Sequence, residues 1–287
     1  MSTIVPGAGG LEKVVLHSDD GASAEIYLHG AHVTSWRPSP GLRERLFLSS
    51  RSGFHAGAAI RGGIPVIFPQ FATEGPLPRH GFARTAQWAV QAIDRDASGD
   101  ALASFVLTDA AGTRTIWPHA FRATLSVRIG GTRLAVTLGI ENTGDAPFSF
   151  TAALHTYLRV DDVCTAELLG LHGTPYRESG ARDVLTFEQR DVIRMDGEVD
   201  RVFVGAPVRL TLREPSHALD VEKQGFPDVV LWNPGPARAA ALADMEAGGD
   251  MHMLCVEAAA VQIPVTLDAG QTWTGSQRFA DLPARAE

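Results

Sequence analysis

Two ionisable side chains stand in segments with the pattern of β-strands, where each could take part in proton transfer. Glu257 is the sole carboxylate in the apolar run from residue 253 to residue 261 of MHMLCVEAAAV. A strand buried on both faces has such a run, and a buried carboxylate is costly unless it is paired or protonated. Either Glu257 is a functional group, or it lies at a sheet edge or in a register from which its carboxylate reaches water.

His155 occurs in the alternating segment PFSFTAALHTYLRV, residues 147–160. Because successive side chains of a strand point to opposite faces, His155 shares a face with Thr151 and Tyr157, while the apolar residues share the other face. The polar face is either a solvated surface that carries an ordinary histidine, or the concave face of a curved sheet that carries a site. The pattern alone favours the solvated surface.

A third candidate is the segment AIRGGIPVIFPQFATEGPLPRHGFAR, which is rich in cations and punctuated by glycine and proline. Its only acid is Glu74, although the chain has a formal net charge of −8. Since all but two of the 25 basic residues are arginine, a single arginine says little, and a solvated loop of biased composition is the alternative explanation. The cations of the segment are Arg61, Arg79, His80 and Arg84.

Other candidate residues carry weaker signals. Asp228 opens the apolar segment DVVLWNP and Asp200 lies in EVDRVF, but an aspartate after a proline is also a routine turn residue. His29 and His32 lack the HxH spacing and the downstream glutamate of a β-barrel metal site, so we expect no metal. The chain contains no GxGxxG, GxxxxGK[ST], GxSxG or HExxH motif, which leaves no signal for a nucleotide or another cofactor.

Composition limits the partners and the compartment. The acidic balance argues against a nucleic acid or an anionic membrane, which select basic surfaces. No apolar run approaches the roughly 20 residues that span a bilayer, and MSTIVPGAGG does not have the pattern of a signal peptide. The only cysteines, Cys164 and Cys255, lie outside any CxxC spacing, so we expect a reduced, cytoplasmic protein without a structural disulfide.

The elements that would position these side chains are mainly strands. In ATLSVRIGGTRLAVTLGIE two alternating runs are joined by Gly130-Gly131, which predicts a β-hairpin. Residues 25–30 and 208–214 alternate in the same way, and the alanine-rich segment 236–248 predicts one helix. We therefore expect an all-β chain, a large antiparallel sandwich or curled barrel, forming one domain over residues 1–287 with its core at about 10–283.

Five motifs in order resemble a known family. AIRGGIPVIFPQF, LPRHGFAR, ALHTYLRV, DVVLWNP and CVEAA are similar to segments of the aldose 1-epimerase superfamily, and more narrowly of the glucose-6-phosphate 1-epimerases, or hexose-6-phosphate mutarotases. The resemblance extends from about residue 10 to about residue 280. It implies a galactose-mutarotase-like β-sandwich with its active site on the concave face of a curved sheet.

The resemblance also implies roles for individual residues. His155 matches the general acid and Glu257 the general base. Positions that bind substrate in the family are matched by Arg61, Arg79, Arg84 and Asp200, and positions that line the sugar site of the wider superfamily by His80 and Asp228. A neutral side chain can replace the arginine at the Arg79 position. No metal or cofactor is implied, and we expect a monomer.

Three residues depart from the family pattern at the borders of its motifs. The glycine usual after FPxF is Ala72, the tryptophan common after WNP is Gly235, and the asparagine frequent after CVEAA is Ala260. None removes a catalytic side chain. These departures bear on pocket shape and sugar preference more than on the reaction.

The implied reaction explains the pattern of side chains. Opening a hemiacetal needs a base at the anomeric hydroxyl and an acid at the ring oxygen, which an ionised Glu257 and a protonated His155 would supply. A phosphate on C6 would suit the planar fork of arginine, and Gly62, Gly63 and Gly81 would let the backbone approach the sugar. The alternatives are an aldose 1-epimerase for free sugars and a non-catalytic sugar-binding β-sandwich.

Overall fold

The computed structural model describes residues 2–38, 43–181 and 184–283, and folds them mainly into antiparallel strands, with two α-helices and three short 3-10 helices. The strands are β1 (Thr3–Pro6), β2 (Glu12–His17), β3 (Ser23–Tyr27), β4 (His32–Arg37), β5 (Val66–Ile67), β6 (Ala89–Arg95), β7 (Ala101–Thr108), β8 (Phe121–Gly130), β9 (Arg133–Asn142), β10 (Phe148–Leu154), β11 (Tyr157–Arg159), β12 (Glu167–Leu169), β13 (Pro175–Glu178), β14 (Thr186–Phe187), β15 (Val192–Ile193), β16 (Val199–Phe203), β17 (Arg209–Glu214), β18 (His217–Gln224), β19 (Asp228–Asn233), β20 (Met253–Leu267) and β21 (Thr272–Pro283). The helices are α1 (Ala111–Ile116) and α2 (Gly235–Ala241).

The strands form three sheets. A four-stranded sheet has the order β1-β2-β3-β4, and a nine-stranded sheet has the order β15-β12-β17-β18-β21-β9-β8-β7-β6. An eight-stranded sheet has the order β14-β13-β16-β19-β20-β10-β5, with β11 also paired to β20. All three sheets contribute to one large apolar core, and none closes into a barrel among the described residues. The expected antiparallel β-sandwich is confirmed.

The hairpin predicted around the Gly-Gly pair is present as β8 and β9. Gly130 pairs with Arg133, so the two-residue turn consists of Gly131 and Thr132, one position later than the Gly-Gly pair suggests. Gly131 has a φ of 57°, a conformation that glycine adopts without a steric penalty. The alternating residues of both strands are buried, as their period of two predicts.

Both faces of β20 are buried from Met253 to Val261, which explains the continuous apolar sequence around Glu257. The even-numbered residues Leu254, Val256 and Ala258 pack into the main core. The odd-numbered residues pack on the opposite face in two smaller apolar clusters, one containing Met253 and Cys255, and the other Ala259 and Val261. Residue 257 therefore lies between two apolar clusters.

Two sequence-based expectations need correction. The predicted strand 147–160 is two strands, β10 and β11, separated by His155 and Thr156. The predicted helix 236–248 is the shorter α2, followed by a turn that buries Met245 in an apolar cluster, and α1 was not predicted. Among the described residues no helix has both the length and the apolar character needed to cross a membrane.

Candidate active site

Glu257 lies in the site because of its odd-numbered position in β20. It pairs in register with Val230 of β19, and the residues two positions away, Cys255 and Ala259, are fully buried. Its side chain is 1% exposed, so the alternatives of a sheet edge and a solvated register are wrong. Neither carboxylate oxygen has a hydrogen-bond partner among the described residues. A buried carboxylate without protein partners is expected where a ligand supplies them.

His155 occupies the junction between β10 and β11, where its backbone N–H donates to the Pro65 carbonyl at 3.0 Å. The residue is 8% exposed, so a solvated surface histidine is excluded. Its Nδ1 lies 3.1 Å from Oε1 of Glu257, but the two atoms are not aligned for a hydrogen bond. The imidazole stacks on the ring of Tyr157, with centroids 4.8 Å apart and planes 10° from parallel. The packing therefore fixes the ring beside the carboxyl group.

The surroundings of the pair favour one distribution of its proton. Burial, and then the negative charge of Asp200, raise the pKa of Glu257 well above its ordinary value. Burial, and then the neighbouring His80, Arg84 and Arg61, lower the pKa of His155 well below its ordinary value. Before substrate binds, these directions favour a protonated Glu257 and a neutral His155, the reverse of the expected assignment. Both forms hold one proton, so the pair still contains one acid and one base.

The arginines of the cation-rich segment differ in their partners. Arg61 is half-buried and donates from Nη1 to the Tyr157 hydroxyl at 2.9 Å and from Nη2 to the Asp244 carboxylate at 3.1 Å. Arg84 donates from Nη2 only to the backbone carbonyl of Arg79, at 3.1 Å. Within the described part of the chain, no carboxylate forms an ion pair with Arg84 or Arg79. Burial, and then the neighbouring arginines, lower the pKa of Arg84.

The glycines of this segment are required by neighbouring backbone. A Cβ on Gly62 would lie 2.3 Å from the Phe47 carbonyl oxygen, and one on Gly63 would lie 2.2 Å from that of Val33. A Cβ on Gly81 would lie 2.2 Å from the Phe68 carbonyl oxygen. Close packing of the chain on itself therefore requires glycine at all three positions. The approach of this backbone to a sugar stays a prediction.

His80 is held by a loop that begins at Ala72. The His80 N–H donates to the Ala72 carbonyl at 2.9 Å, and the Ala72 N–H donates to Nδ1 of His80 at 3.2 Å. Nδ1 is thus an acceptor, which leaves the proton of the neutral ring on Nε2. Burial, and then Arg84, lower the pKa of His80 to about 2. His80 can therefore offer a neutral N–H to a hydroxyl group of a ligand.

These side chains surround one cavity of roughly 330 Å³. A volume of this size falls in the range of small-molecule sites. Both members of the proton-transfer pair line it, and so do five of the six residues expected to bind substrate. The residues from the sequence-based set in its wall are His155, Glu257, Arg61, Arg79, His80, Arg84 and Asp200.

Asp228 is the exception among the expected substrate-binding residues. It is 1% exposed and does not line the cavity. Its Oδ2 accepts the N–H groups of Val261 and Gln262, at 3.0 and 2.9 Å, and its Oδ1 accepts the N–H of Gly205 at 3.2 Å. This carboxylate joins the start of β19 to two other segments of backbone, so we leave Asp228 out of the substrate-binding set.

The sequence analysis missed several residues of the site. Trp232 lines the cavity with its ring edge-on to His155, at a centroid distance of 5.9 Å, and its position two residues after Val230 on the same strand face was an available signal. Arg238 of α2 also lines the cavity, and its Nη1 lies 3.7 Å from Oδ2 of Asp200. Nothing in the alanine-rich segment marks Arg238, because its role depends on how α2 packs.

One group of described residues has the spacing of a metal site. The ligand atoms of His155, Cys255 and Glu257 lie within 4.8 Å of one another. Arg61 and Arg84 lie close enough to His155 to lower its pKa, and their charges oppose a divalent cation at the same place. The charge around the cavity therefore favours an anionic ligand, and an acid–base pair is the chemistry that the group can perform without a metal.

Comparison with known proteins places this geometry in a family. The family model described as Aldose 1-epimerase matches residues 12–280. A protein of Cenchrus ciliaris, provisionally named glucose-6-phosphate 1-epimerase, is 39% identical over 98% of this chain and 88% of its own length. A protein of Escherichia coli with the same provisional name is 35% identical over 82% of this chain and 79% of its own length.

Solved structures agree with these relatives. A Salmonella typhimurium protein, provisionally described as a mutarotase, superposes with a TM-score of 0.87 at 25% identity, covering 98% of this chain and 97% of that one. A galactose mutarotase-like protein from Lactobacillus casei has the same fold, with a TM-score of 0.75 at 15% identity and coverage of 94% and 99%. This chain belongs to the aldose 1-epimerase family.

Proposed function

We propose that the protein interconverts the α and β anomers of a hexose 6-phosphate, with glucose 6-phosphate as the first candidate substrate. The observation that carries the proposal is the His155–Glu257 pair, 3.1 Å apart, in a cavity whose wall also contains Arg61, Arg79 and Arg84 of the cation-rich segment, together with Arg238. The pair supplies proton transfer and the arginines supply charge for a phosphate. The names of the relatives from Cenchrus ciliaris and Escherichia coli support the same substrate class.

In the proposed mechanism His155 and Glu257 act as one acid–base couple. One member takes the proton of the anomeric hydroxyl while the other protonates the ring oxygen, and the C1–O5 bond opens to the aldehyde. Rotation about C1–C2 presents the other carbonyl face, and the roles reverse as the ring closes. General acid–base catalysis of this kind contributes roughly 10²- to 10⁴-fold per group.

The phosphate also affects the proton of the couple. Arg84 and Arg61 lower the pKa of His155, and a dianionic phosphate beside them would offset part of their charge. The pKa of His155 would then rise, and the proton would move from Glu257 towards the histidine. Substrate binding thus favours an ionised Glu257 as the base and a protonated His155 as the acid in the first step.

Other groups of the cavity wall serve to orient the sugar. His80 offers a neutral N–H, while Asp200 offers a carboxylate whose pKa is raised, first by burial. Such groups can hold sugar hydroxyls in the orientation that proton transfer requires. We further propose that the protein acts in the cytoplasm as a monomer, and that it requires no cofactor for this chemistry.

The test compares two substrates side by side. The rate at which pure α anomer approaches equilibrium is measured by NMR or polarimetry for glucose 6-phosphate and for free glucose. We expect a much larger kcat/KM for the phosphorylated sugar. Equal values would make the protein a free-sugar aldose 1-epimerase, and no acceleration of either substrate would leave a sugar-binding protein without turnover.

A further inference from the structure

The guanidinium group of Arg61 is held from two sides. Its Nη1 donates to the hydroxyl of Tyr157 at 2.9 Å, and its Nη2 donates to both oxygens of Asp244, at 3.2 and 3.1 Å. Burial by itself lowers the pKa of Arg61, but Tyr157 and Asp244 outweigh burial and raise it. The Nε atom is buried and has no partner among the described residues. The two terminal nitrogens of Arg61 are therefore held in place, while its Nε–H group has no acceptor among the described residues.

Asp244 is itself fixed by the loop that follows α2. Its backbone carbonyl accepts a hydrogen bond from the Ser49 hydroxyl at 2.7 Å. The next residue, Met245, is 2% exposed and packs in the apolar cluster that contains Tyr157 and Trp232. The Asp244 carboxylate thus reaches Arg61 from a loop that is held by the Ser49 hydrogen bond and by the packing of Met245 in the apolar cluster.

Tyr157 connects Arg61 to the proton-transfer pair. Its ring is 2% exposed and stacks on the His155 imidazole, while its hydroxyl accepts the hydrogen bond of Arg61. The orientation of the arginine and the packing of the histidine therefore depend on the same side chain. Arg84 has no such support, since its terminal nitrogens reach only the Arg79 carbonyl among the described residues.

We propose that Asp244 and Tyr157 are positioning residues that hold Arg61 in the orientation in which it meets the substrate's phosphate. This inference rests on the proposed function. A long arginine side chain loses conformational freedom when it is immobilised in a complex, and a residue that orders it beforehand removes that cost from binding. Asp244 also offsets the charge of Arg61, as Glu198 does that of Arg238, so that Arg79 and Arg84 are the cavity arginines without an ion-pair partner among the described residues.

The first test is the variant Asp244→Ala, with Asp244→Asn as its conservative counterpart. We expect Asp244→Ala to raise the KM for glucose 6-phosphate roughly three- to tenfold, the range set by losing the order of one long side chain. The kcat and the KM for free glucose should stay within about twofold, because Asp244 contacts neither catalytic side chain. Asp244→Asn retains an acceptor for Arg61 and should recover part of the lost affinity.

Glu246→Ala provides a matched control in the same loop. Glu246 accepts hydrogen bonds from the Ser49 hydroxyl and from the Ser50 N–H, the latter at 3.0 Å, and forms no hydrogen bond or ion pair with Arg61. The Glu246→Ala substitution should lower the melting temperature without changing the ratio of the KM for glucose 6-phosphate to the KM for free glucose. If Glu246→Ala changes that ratio as much as Asp244→Ala does, the effect belongs to loop stability, and the positioning role is wrong.

A double-mutant cycle tests whether the two residues act through the same arginine. Tyr157→Phe keeps the ring that stacks on His155 and removes the acceptor of Arg61. If both residues position Arg61, the combined Asp244→Ala/Tyr157→Phe variant should lose less affinity than the product of the single losses. Strictly multiplicative losses, or tighter binding of glucose 6-phosphate by Asp244→Asn, would overturn the proposal.

Binding measured without turnover separates this inference from the proposed function. Isothermal titration of glucose 6-phosphate into each variant should show the same order of affinities as the KM values. If the wild type accelerates no anomerisation but the variants bind the sugar phosphate in the expected order, the proposed function fails while the positioning role stands. If the wild type is active and every Asp244 and Tyr157 variant binds as it does, the positioning role fails alone.

Discussion

The Nδ1 atom of His155 lies 3.1 Å from Oε1 of Glu257, in a contact that places an imidazole against a carboxyl group with no other partner among the described residues. Burial moves the two pKa values in opposite directions, up for Glu257 and down for His155. At intermediate pH the two groups therefore hold one proton between them. That shared proton is the basis of the predictions on the turnover of Glu257→Gln and on the pH dependence of the rate.

Glu257→Gln should reduce turnover by two or more orders of magnitude while leaving the binding of glucose 6-phosphate nearly unchanged. The amide fills the same volume but cannot take part in proton transfer. Anomerisation rates and calorimetric titration measure the two quantities. Turnover within a few-fold of wild type would remove Glu257 from the acid–base pair.

The same variant should gain stability relative to wild type as pH rises. The unfolded chain releases the Glu257 proton near the ordinary pKa of 4.5, whereas the folded protein keeps it to a higher pH because the pKa is raised. The contribution of this group to stability is therefore lost as pH rises from about 4.5 through the raised value, and glutamine removes that loss. Urea unfolding at about pH 5 and about pH 8 tests the sign, and an advantage that shrinks with pH would contradict it.

The rate on a fixed substrate should follow a bell-shaped curve in pH. At low pH both members of the pair hold protons and no base is present, and at high pH neither holds one and no acid is present. The acid and alkaline limbs of this curve give apparent pKa values of the coupled pair, and these need not match the pKa of either residue alone. A rate that falls on neither the acid nor the alkaline side over the whole pH range in which the protein stays folded, after correction for phosphate ionisation, would exclude the two-group mechanism.

Asp228→Asn should lower stability and leave turnover nearly unchanged, whereas Glu257→Gln should lower turnover, although the two carboxyl groups are equally buried. The Asp228 carboxylate accepts three backbone N–H groups, and asparagine offers one oxygen for them. We expect a loss of about 1.5–3 kcal/mol in the free energy of unfolding, with kcat changed by less than a few-fold. A large fall in kcat at unchanged stability would return Asp228 to the substrate-binding set.

Ala72→Gly should stabilise the protein by about 0.5–1 kcal/mol. Ala72 has a φ of 47°, and left-handed backbone costs an L-residue with a Cβ about 1–2 kcal/mol, against about 0.4–1 kcal/mol that glycine gains in the unfolded chain. Urea denaturation measures the difference. A matched substitution in regular strand, Ala259→Gly, should destabilise the protein, and equal effects at both positions would rule out backbone strain at Ala72.

The sequence predicted the parts of the site that depend on strand parity. Glu257 was recognisable because a carboxylate is costly in an apolar strand, and the parity of 147–160 placed His155 and Tyr157 on one face. Parity could not tell whether that face was solvated. Covering it requires the loop that carries His80 and the turn after α2, whose positions depend on packing.

Carboxylates with similar local sequence proved to have different surroundings. Asp200 and Asp228 both stand in short apolar strands, but one lines the cavity and the other binds backbone N–H groups. The partner of Arg61 is Asp244, 183 residues away along the chain. No local pattern encodes a contact at that separation. Which arginine is paired with a carboxylate and which is not therefore follows only from the packed structure.

Arg84→Ala should lower kcat/KM for glucose 6-phosphate far more than for free glucose. Arg84 is half-buried and lacks a carboxylate partner among the described residues, so its charge is available to a phosphate. Loss of one charge-assisted hydrogen bond is worth about 1.5–3 kcal/mol, which corresponds to roughly 10- to 150-fold in kcat/KM. Arg61→Ala should act in the same direction, and Arg79→Ala should have the smallest effect because Arg79 is exposed.

Lysine at position 84 should recover only part of the loss, because an ammonium group keeps the charge but not the bidentate fork. Inorganic phosphate should inhibit the wild type competitively and the Arg84→Ala variant weakly, since both anions need the same donor. Free glucose serves as the internal control because it makes no phosphate contact. If both substrates lose kcat/KM equally in Arg84→Ala and Arg61→Ala, the arginines maintain the shape of the cavity instead of binding phosphate, and a free-sugar epimerase becomes the better assignment.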